Sequence, residues 1–403
     1  MDIDDIRARF PALLRTEAGQ PVAYFDGPGG TQVPRQVGEA MLDYLYRHNA
    51  NTHWAYAASS ETDRMILDAR SALADFLGCD ADEVAFGQNM TTLTFHFARA
   101  VGRDLGEGDE ILVTRLDHQA NVGPWQALVR ERGVTLREVP FDPDTGALDE
   151  EAFDQLLSPR TRWVAIGAAS NAIGTVNDVA GLAGRARAAG ARVFVDAVHY
   201  APHARIDVSA LGADALACSP YKFYGPHLGV LFVGDDLQRE LDVPRLVCGG
   251  SEPPELLETG TLSHEAIMGS AAAVDFLAGL GAGGDRKARL DDAFRSLHRR
   301  GEDLFQRLWE GLEDLAGVRL FGRPPGAART PTAAFTVRGH DAEAVTARLS
   351  RDHGVFTSHG DFYATTVIED LGVGPAGLVR AGCACYTTEE EVDRLVAGVA
   401  ELT

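Results

Sequence analysis

The chain has 403 residues, 37 of them basic and 59 acidic, for a formal net charge of -22. That length exceeds one ordinary domain and points to two, or to one large domain with a smaller one appended. The acidic balance, with no basic cluster that could track a phosphate backbone, argues against nucleic acid as a partner. No run of about 18 apolar residues argues for a membrane span. The N-terminus, MDIDDIRARFPALL, has no basic segment leading into an apolar one, so the expectation is a soluble, cytoplasmic protein. Five cysteines (Cys79, Cys218, Cys248, Cys383 and Cys385) are odd in number and scattered except for the last two. They read as reduced thiols, and no metal site is expected.

In chain order, apolar strand-like runs alternate with helical patterns. EVAFG (83–87) and EILVT (110–114) come first, then the amphipathic ANVGPWQALVRERG (120–133) and the run TRWVAIGAAS (161–170). After these come DVAGLAGRARAAG (178–190), again helical and closed by glycine, and the runs ARVFVDA (191–197), ALACS (215–219) and GVLFVG (229–234). Such alternation predicts a largely parallel sheet covered by helices. From about residue 285 the character changes. A long charged helix (285–312) leads to the strand candidates VRLF (318–321), TAAFTVRG (332–339) and LVRAGCACY (378–386), and TEEEVDRLVAGVAEL (388–402) closes the chain as a helix. This part reads as a smaller α+β domain.

In an open parallel sheet, ligands bind beyond the carboxyl ends of the strands, so polar residues just after apolar runs are the ones to collect. They are Asn89 with Thr91 and Thr92; Asp117, His118 and Asn121 in LDHQAN; Asn171; and Asp196 with His199. Each type has a structural alternative as a helix cap or turn former, but all recur at one edge of one sheet. Lys222 lies between two later strands in ACSPYKFYGPHLGVLF (217–232), an apolar and aromatic neighbourhood unusual for a surface lysine. Pyridoxal phosphate chemistry needs this set. A lysine with its pKa lowered by partial burial attacks the cofactor's aldehyde, a carboxylate such as Asp196 keeps the pyridine nitrogen protonated, and a helix N-terminus with hydroxyls such as Thr91 and Ser219 takes the phosphate. An imidazole, His118, can stack on the ring.

The motifs N-M-T (89–91), DHQAN (117–121), N-A-I-G-T (171–175), V-D-A-V-H (195–199), S-P-Y-K-F-Y-G-P (219–226), E-T-G-T (258–261) and L-V-R-A-G (378–382) stand in an order that resembles the class V aminotransferases of fold-type I. Within them, the chain is most similar to the group II cysteine desulfurases and selenocysteine lyases, from YFDGPGG (24–30) to the last helix. The resemblance implies an α/β fold: a large domain (21–284) with a mostly parallel seven-stranded sheet, and a small α+β domain formed by 1–20 and 285–403. It implies pyridoxal 5'-phosphate bonded to Lys222, with Asp196 on the ring nitrogen, His199 beside the phenolic oxygen, His118 over the ring and Asn171 orienting it. Asn89, Met90, Thr91, Ser219 and Tyr221 complete the cofactor site. Thr261 reaches the phosphate of a neighbouring subunit, which implies a homodimer with shared sites. Arg380 grips the α-carboxylate of an amino-acid substrate, with His53, Asp361 and Tyr363 also beside it.

The chain departs from this pattern where desulfurases carry a loop cysteine that accepts sulfur. The matching stretch is GVFTSHGDFYAT (354–365), and Tyr363 takes that place; Tyr221 and Ser358 replace a histidine and an arginine. A phenol cannot form a persulfide. The expected activity is therefore that of a desulfurase-like lyase catalysing β-elimination or β-decarboxylation, whose leaving group needs no thiol acceptor. The alternatives are an aminotransferase or amino-acid epimerase of the same class, a true desulfurase using another cysteine, and a catalytically silent binding protein on the same fold.

Overall fold

Seven short apolar runs build one sheet in a computed structural model that describes residues 2–17 and 19–403. They are β1 (Val84–Gly87), β2 (Glu110–Thr114), β3 (Thr135–Val139), β4 (Thr161–Gly167), β5 (Arg192–Asp196), β6 (Ala215–Cys218) and β7 (Gly229–Val233). Their order across the sheet is β1-β7-β6-β5-β4-β2-β3. Only β7 runs against its neighbours, β6 and β1; the others are parallel. This is the expected mostly parallel seven-stranded sheet. Both faces are covered, so β2 and β7 are buried at every residue, which is why they read as unbroken apolar runs.

Helices α1 (Ala57–Leu77), α2 (Met90–Val101), α3 (Gly123–Arg132), α4 (Val179–Ala188) and α5 (His264–Ala278) supply the covering layers. Along β4 the side chains alternate: Trp163 joins Phe97, Trp125 and Phe194 on one face, while Val164 and Ile166 join Leu73, Leu182 and Phe276 on the other. The sequence reading did not anticipate β3. It is one of the two edge strands, half polar (TLREV) and largely solvent-facing, so it carries no buried-strand signature.

A second sheet of four antiparallel strands, β8 (Val318–Phe321), β9 (Thr332–Val337), β10 (Ser358–Gly360) and β11 (Leu378–Gly382), has the order β8-β9-β11-β10. Leu308 and Leu312 of α6 (Arg286–Glu313) and Leu395 of α7 (Glu389–Ala400) pack with Phe335 as its core. One expectation needs correction. The strand expected over 378–386 ends at Gly382, where the chain passes so close to Pro28 that a Cβ would fall 2.3 Å from Pro28 Cγ. Cys383 and Cys385 follow the strand rather than lie in it. On either side of residues 20 and 21, the start of the chain packs with both sheets. Ile6, Phe10 and Leu13 join the core of the large sheet, whereas Ala23 and Phe25 join that of the small one, because Ala23–Tyr24 pairs in parallel with Val355–Phe356. We place the N-terminal boundary accordingly. Among the described residues, no helix is long and apolar enough to cross a membrane.

The segment that carries Thr261 is tied to the sheet by a buried ion pair. Both Glu258 carboxylate oxygens accept from the Arg70 guanidinium at 2.8 Å, and one also accepts from the Phe86 amide at 2.8 Å. Removing one partner leaves the other charge buried and unpaired. Glu258→Ala should therefore destabilise the protein by about 3–5 kcal/mol, read as a lower denaturant midpoint. A change below about 0.5 kcal/mol would show that the pair is not a structural anchor.

Candidate active site

The carboxyl ends of the central strands open into a cavity of about 800 Å³. Asn89, Met90, Thr91, His118, Asn171, Asp196, His199, Ser219, Tyr221 and Lys222 line it from the large domain, and Asp361, Tyr363 and Arg380 from the small one. Of the expected site residues, only His53 and Thr261 lie elsewhere, together in a second cavity of about 820 Å³ with Trp54, Leu246 and Cys248.

Lys222 ends a one-turn helix, Pro220–Lys222, in the β6–β7 connection. Its ammonium donates to Pro28 O and lies 5.0 Å from the centre of the Tyr221 ring. Burial, reinforced by Arg380 and opposed by Asp196, brings its pKa down to about 7. A large neutral fraction is then present at neutral pH, as a nucleophilic amine requires. Asp196 closes β5, and one of its oxygens accepts from the Val198 amide at 2.9 Å. Burial raises its pKa to about 6 against the attraction of Lys222. A cationic ligand nitrogen beside it would reverse that rise.

The opposite end of the cavity suits a phosphate. Asn89 caps α2, its side chain accepting from the Thr92 amide at 2.9 Å, and the helix dipole favours an anion there. Thr91 has only the Met90 sulfur near its hydroxyl, at 3.9 Å. The Ser219 hydroxyl makes no capping hydrogen bond to the turn that follows it. Between the two ends, His118 Nδ1 accepts from the Ala120 amide at 2.9 Å. Burial, with Lys222 and Arg380, lowers its pKa to about 4, leaving a neutral ring suited to stacking. His199 is likewise neutral; burial drives its pKa well down, and Nε2 faces the Thr330 hydroxyl at 3.0 Å. These free donors, the buried lysine and the buried carboxylate fit pyridoxal phosphate.

Arg380 lies on β11. Its guanidinium donates to Asn171 O at 2.6 Å and to the Ser358 hydroxyl at 3.1 Å, and rests 4.0 Å from the centre of the Phe362 ring. Burial lowers its pKa to about 9, so it stays cationic at neutral pH, and among the described residues no carboxylate is hydrogen-bonded to it. That is the profile of a group awaiting an anionic ligand. The turn above it is strained: Phe362 and Tyr363 both have φ of 56°, uncommon outside glycine. Asn171 donates to Phe362 O at 2.8 Å and the Gln119 amide to Tyr363 O at 2.7 Å, pinning the turn over the cavity. Tyr363 is 71% exposed, with its ring 5.6 Å from that of His118.

No cysteine lines this cavity among the described residues. Cys383 and Cys385 line a separate cavity of about 260 Å³ against α6, and burial pushes both thiols up to about 12. Sequence reasoning overlooked Phe362, Gln119 and Asp26. The last, in YFDGPGG, is a half-buried carboxylate acting on Arg380 and itself raised to about 6 by desolvation. Its place just after Tyr24 and Phe25 was the available signal.

Residues 23–395 match the family model described as Aminotransferase class-V. The chain belongs to that family. It is 32% identical over 418 residues to a cysteine desulfurase of Serratia proteamaculans, covering 98% of this chain and 97% of that one. Identity to a probable cysteine desulfurase of Halobacterium salinarum is 33%, over 100% and 96% of the two chains. Among solved structures, the apo cysteine desulfurase of Thermococcus onnurineus superposes with a TM-score of 0.89 at 28% identity, covering 100% of this chain and 98% of that one. The cysteine desulfurase CsdA of Escherichia coli superposes with 0.86 at 25% identity and the same coverage. This class-V protein is thus a cysteine desulfurase-like, pyridoxal phosphate-dependent enzyme.

If the amine of Lys222 forms the covalent bond to the cofactor, Lys222→Ala should lose the yellow, borohydride-reducible adduct while its circular dichroism stays unchanged. In the unsubstituted enzyme the rate of adduct formation should climb as pH rises through about 7, because only the neutral amine attacks. An adduct retained in Lys222→Ala would remove Lys222 from this role.

Proposed function

We propose that this class-V enzyme is a lyase that expels a β-substituent or β-carboxylate from an α-amino acid without passing sulfur to a protein thiol. The observation that carries this reading is that Tyr363 sits on the turn over the cavity and no cysteine lines that cavity among the described residues, where the resemblance to the desulfurases implies a sulfur-accepting cysteine. When bound, pyridoxal phosphate supplies the electron sink that lowers the barrier to Cα deprotonation. Asp196 would hold the proton on its ring nitrogen, and Thr91, Ser219 and the N-terminus of α2 its phosphate. Asn89, Met90 and Tyr221 would shape the pocket, His118 would cover the ring face, and Asn171 and His199 would orient the ring. Arg380 would bind the substrate's α-carboxylate bidentately, fixing Cα within reach of Lys222 Nζ, which would take its proton. The pinned turn with Phe362 would exclude water. Asp361 and Tyr363 would face the β-position, where a phenol can give a proton to the leaving group.

A homodimer follows from the same reading. His53 and Thr261 share a cavity remote from Lys222, on a surface that exposes Trp54, Leu67, Leu246 and Val247. A second copy seated there would cover the apolar side chains and bring Thr261 to the partner's phosphate. The five free thiols fit a reducing compartment such as the cytoplasm.

Incubation with cysteine should leave no persulfide on the protein, and replacing Cys383 and Cys385 together by serine should hardly change turnover of the true substrate. Tyr363→Phe should lower kcat on the order of 100-fold; an unchanged kcat would reduce the ring to packing. A stable persulfide accompanied by alanine release would restore the desulfurase.

Shared sites allow complementation. Lys222→Ala and Thr261→Asp chains should each be inactive alone but regain activity when mixed and reassembled, since one site of the mixed dimer keeps both residues. Activity absent from the mixture, with dimers confirmed by sedimentation, would argue against a shared site.

A further inference from the structure

Asp117 is 2% exposed, yet it lines the cavity that holds Lys222 and Asp196. One carboxylate oxygen accepts from the Thr114 hydroxyl at 2.8 Å and the Gly167 amide at 2.9 Å, and the other from the Asn121 amide at 2.8 Å. Gly167 is the register partner of Asp196 across β4 and β5. Glycine is required there, because a Cβ would fall 2.5 Å from Asp117 Oδ1. A single carboxylate thus ties the ends of β2 and β4 to the turn that carries His118, directly beside the strand that ends in Asp196.

Ionisable groups from several elements line the same cavity: Asp196 from β5, His199 after it, Tyr221 and Lys222 from the β6–β7 turn, His118 from its own turn, and His359, Asp361, Tyr363 and Arg380 from the small domain. Burial keeps His118 and His199 neutral. Burial raises Asp117 to about 7; its hydrogen bonds oppose the rise and the like charge of Asp196 adds to it. No cation is hydrogen-bonded to Asp117 among the described residues, so ionising it beside Asp196 is unfavourable unless a cationic group binds there.

We propose that Asp117 is a positioning residue for the cofactor's cationic ring: it fixes the turn that carries His118 and sets a second negative charge behind Asp196. This rests on the placement of the ring nitrogen at Asp196. Tethering alone would be served equally well by an amide. Asn121 Oδ1 is buried without a partner, so in Asp117→Asn the Asn121 amide can turn over and accept from the new side-chain nitrogen. Thr114 and Gly167 can keep donating to the remaining oxygen. The variant removes the charge and keeps the contacts.

Because burial raises the folded-state pKa of Asp117, the apo protein holds that proton more tightly than the unfolded chain and loses stability as pH rises from the ordinary carboxylate value to about 7. Apo Asp117→Asn should therefore melt above apo wild type at pH 8, and the gap should close as pH falls toward about 4. The order should invert with cofactor. The variant's Kd for pyridoxal phosphate, measured by equilibrium dialysis, should rise about tenfold or more, and the pH titration of its visible band should move to lower pH by about one unit. Asp117→Asn with an unchanged Kd and titration overturns the inference. If Asp196→Asn leaves both unchanged as well, the placement of the ring nitrogen falls and the inference falls with it.

Discussion

Lys222, Asp196, Asp117 and Arg380 are four ionisable side chains sharing one cavity, and each is hydrogen-bonded only to neutral groups: a carbonyl, an amide or a hydroxyl. None forms a hydrogen-bonded ion pair with another, so the desolvation of each is left largely uncompensated. For Lys222, a value near 7 in place of 10.5 corresponds to roughly 5 kcal/mol against the charged form. The rest of the molecule has to tolerate this, which is one physical reason for a sheet whose strands are buried on both faces. The charges that would satisfy the four belong to ligands. On the proposed reading, a cofactor ring nitrogen would answer the two carboxylates and a substrate carboxylate would answer Arg380.

The two domains meet over the same cavity. Arg380 reaches from the small sheet to the carbonyl of Asn171, while Asn171 reaches back to the carbonyl of Phe362. The turn at Phe362 and Tyr363 keeps its left-handed backbone because two large-domain donors, Asn171 and the Gln119 amide, hold its carbonyls. Strain of this kind persists only where the surroundings over-determine it. A change in the position of the small domain would therefore be felt at the turn first, and with it at Arg380.

The large sheet was legible in the sequence because burial on both faces leaves no polar alternation, and six of its seven strands stand out as short apolar runs. The seventh, at the polar edge, had no such signature. The cofactor end of the site was equally legible, since in a parallel sheet the residue after each strand is delivered to one edge by topology alone. The small domain was less so. Strand periodicity extended through Cys383 and Cys385, and only the close passage of Gly382 against Pro28 ended it, a contact between residues more than 350 positions apart. Asp26 and Phe362 were missed for a related reason: their relevance comes from Arg380, which no local pattern joins to them.

Fold likeness and reaction separate at one turn. On the reading proposed above, Arg380, Lys222 and Asp196 together would prepare an α-amino acid for loss of its Cα proton, and that preparation would be indifferent to what leaves the β-position. The fate of the deprotonated substrate would then depend on the group presented by residues 361–363. A thiol would act as a nucleophile and keep the leaving atom; a phenol can only donate a proton or pack. With Cys383 and Cys385 buried against α6, their thiols held in the protonated form, no thiol lines the cavity among the described residues to take on that task. Sharing a fold with desulfurases at TM-scores of 0.89 and 0.86 is thus compatible with different chemistry, because the residue that would decide it contributes almost nothing to the backbone comparison.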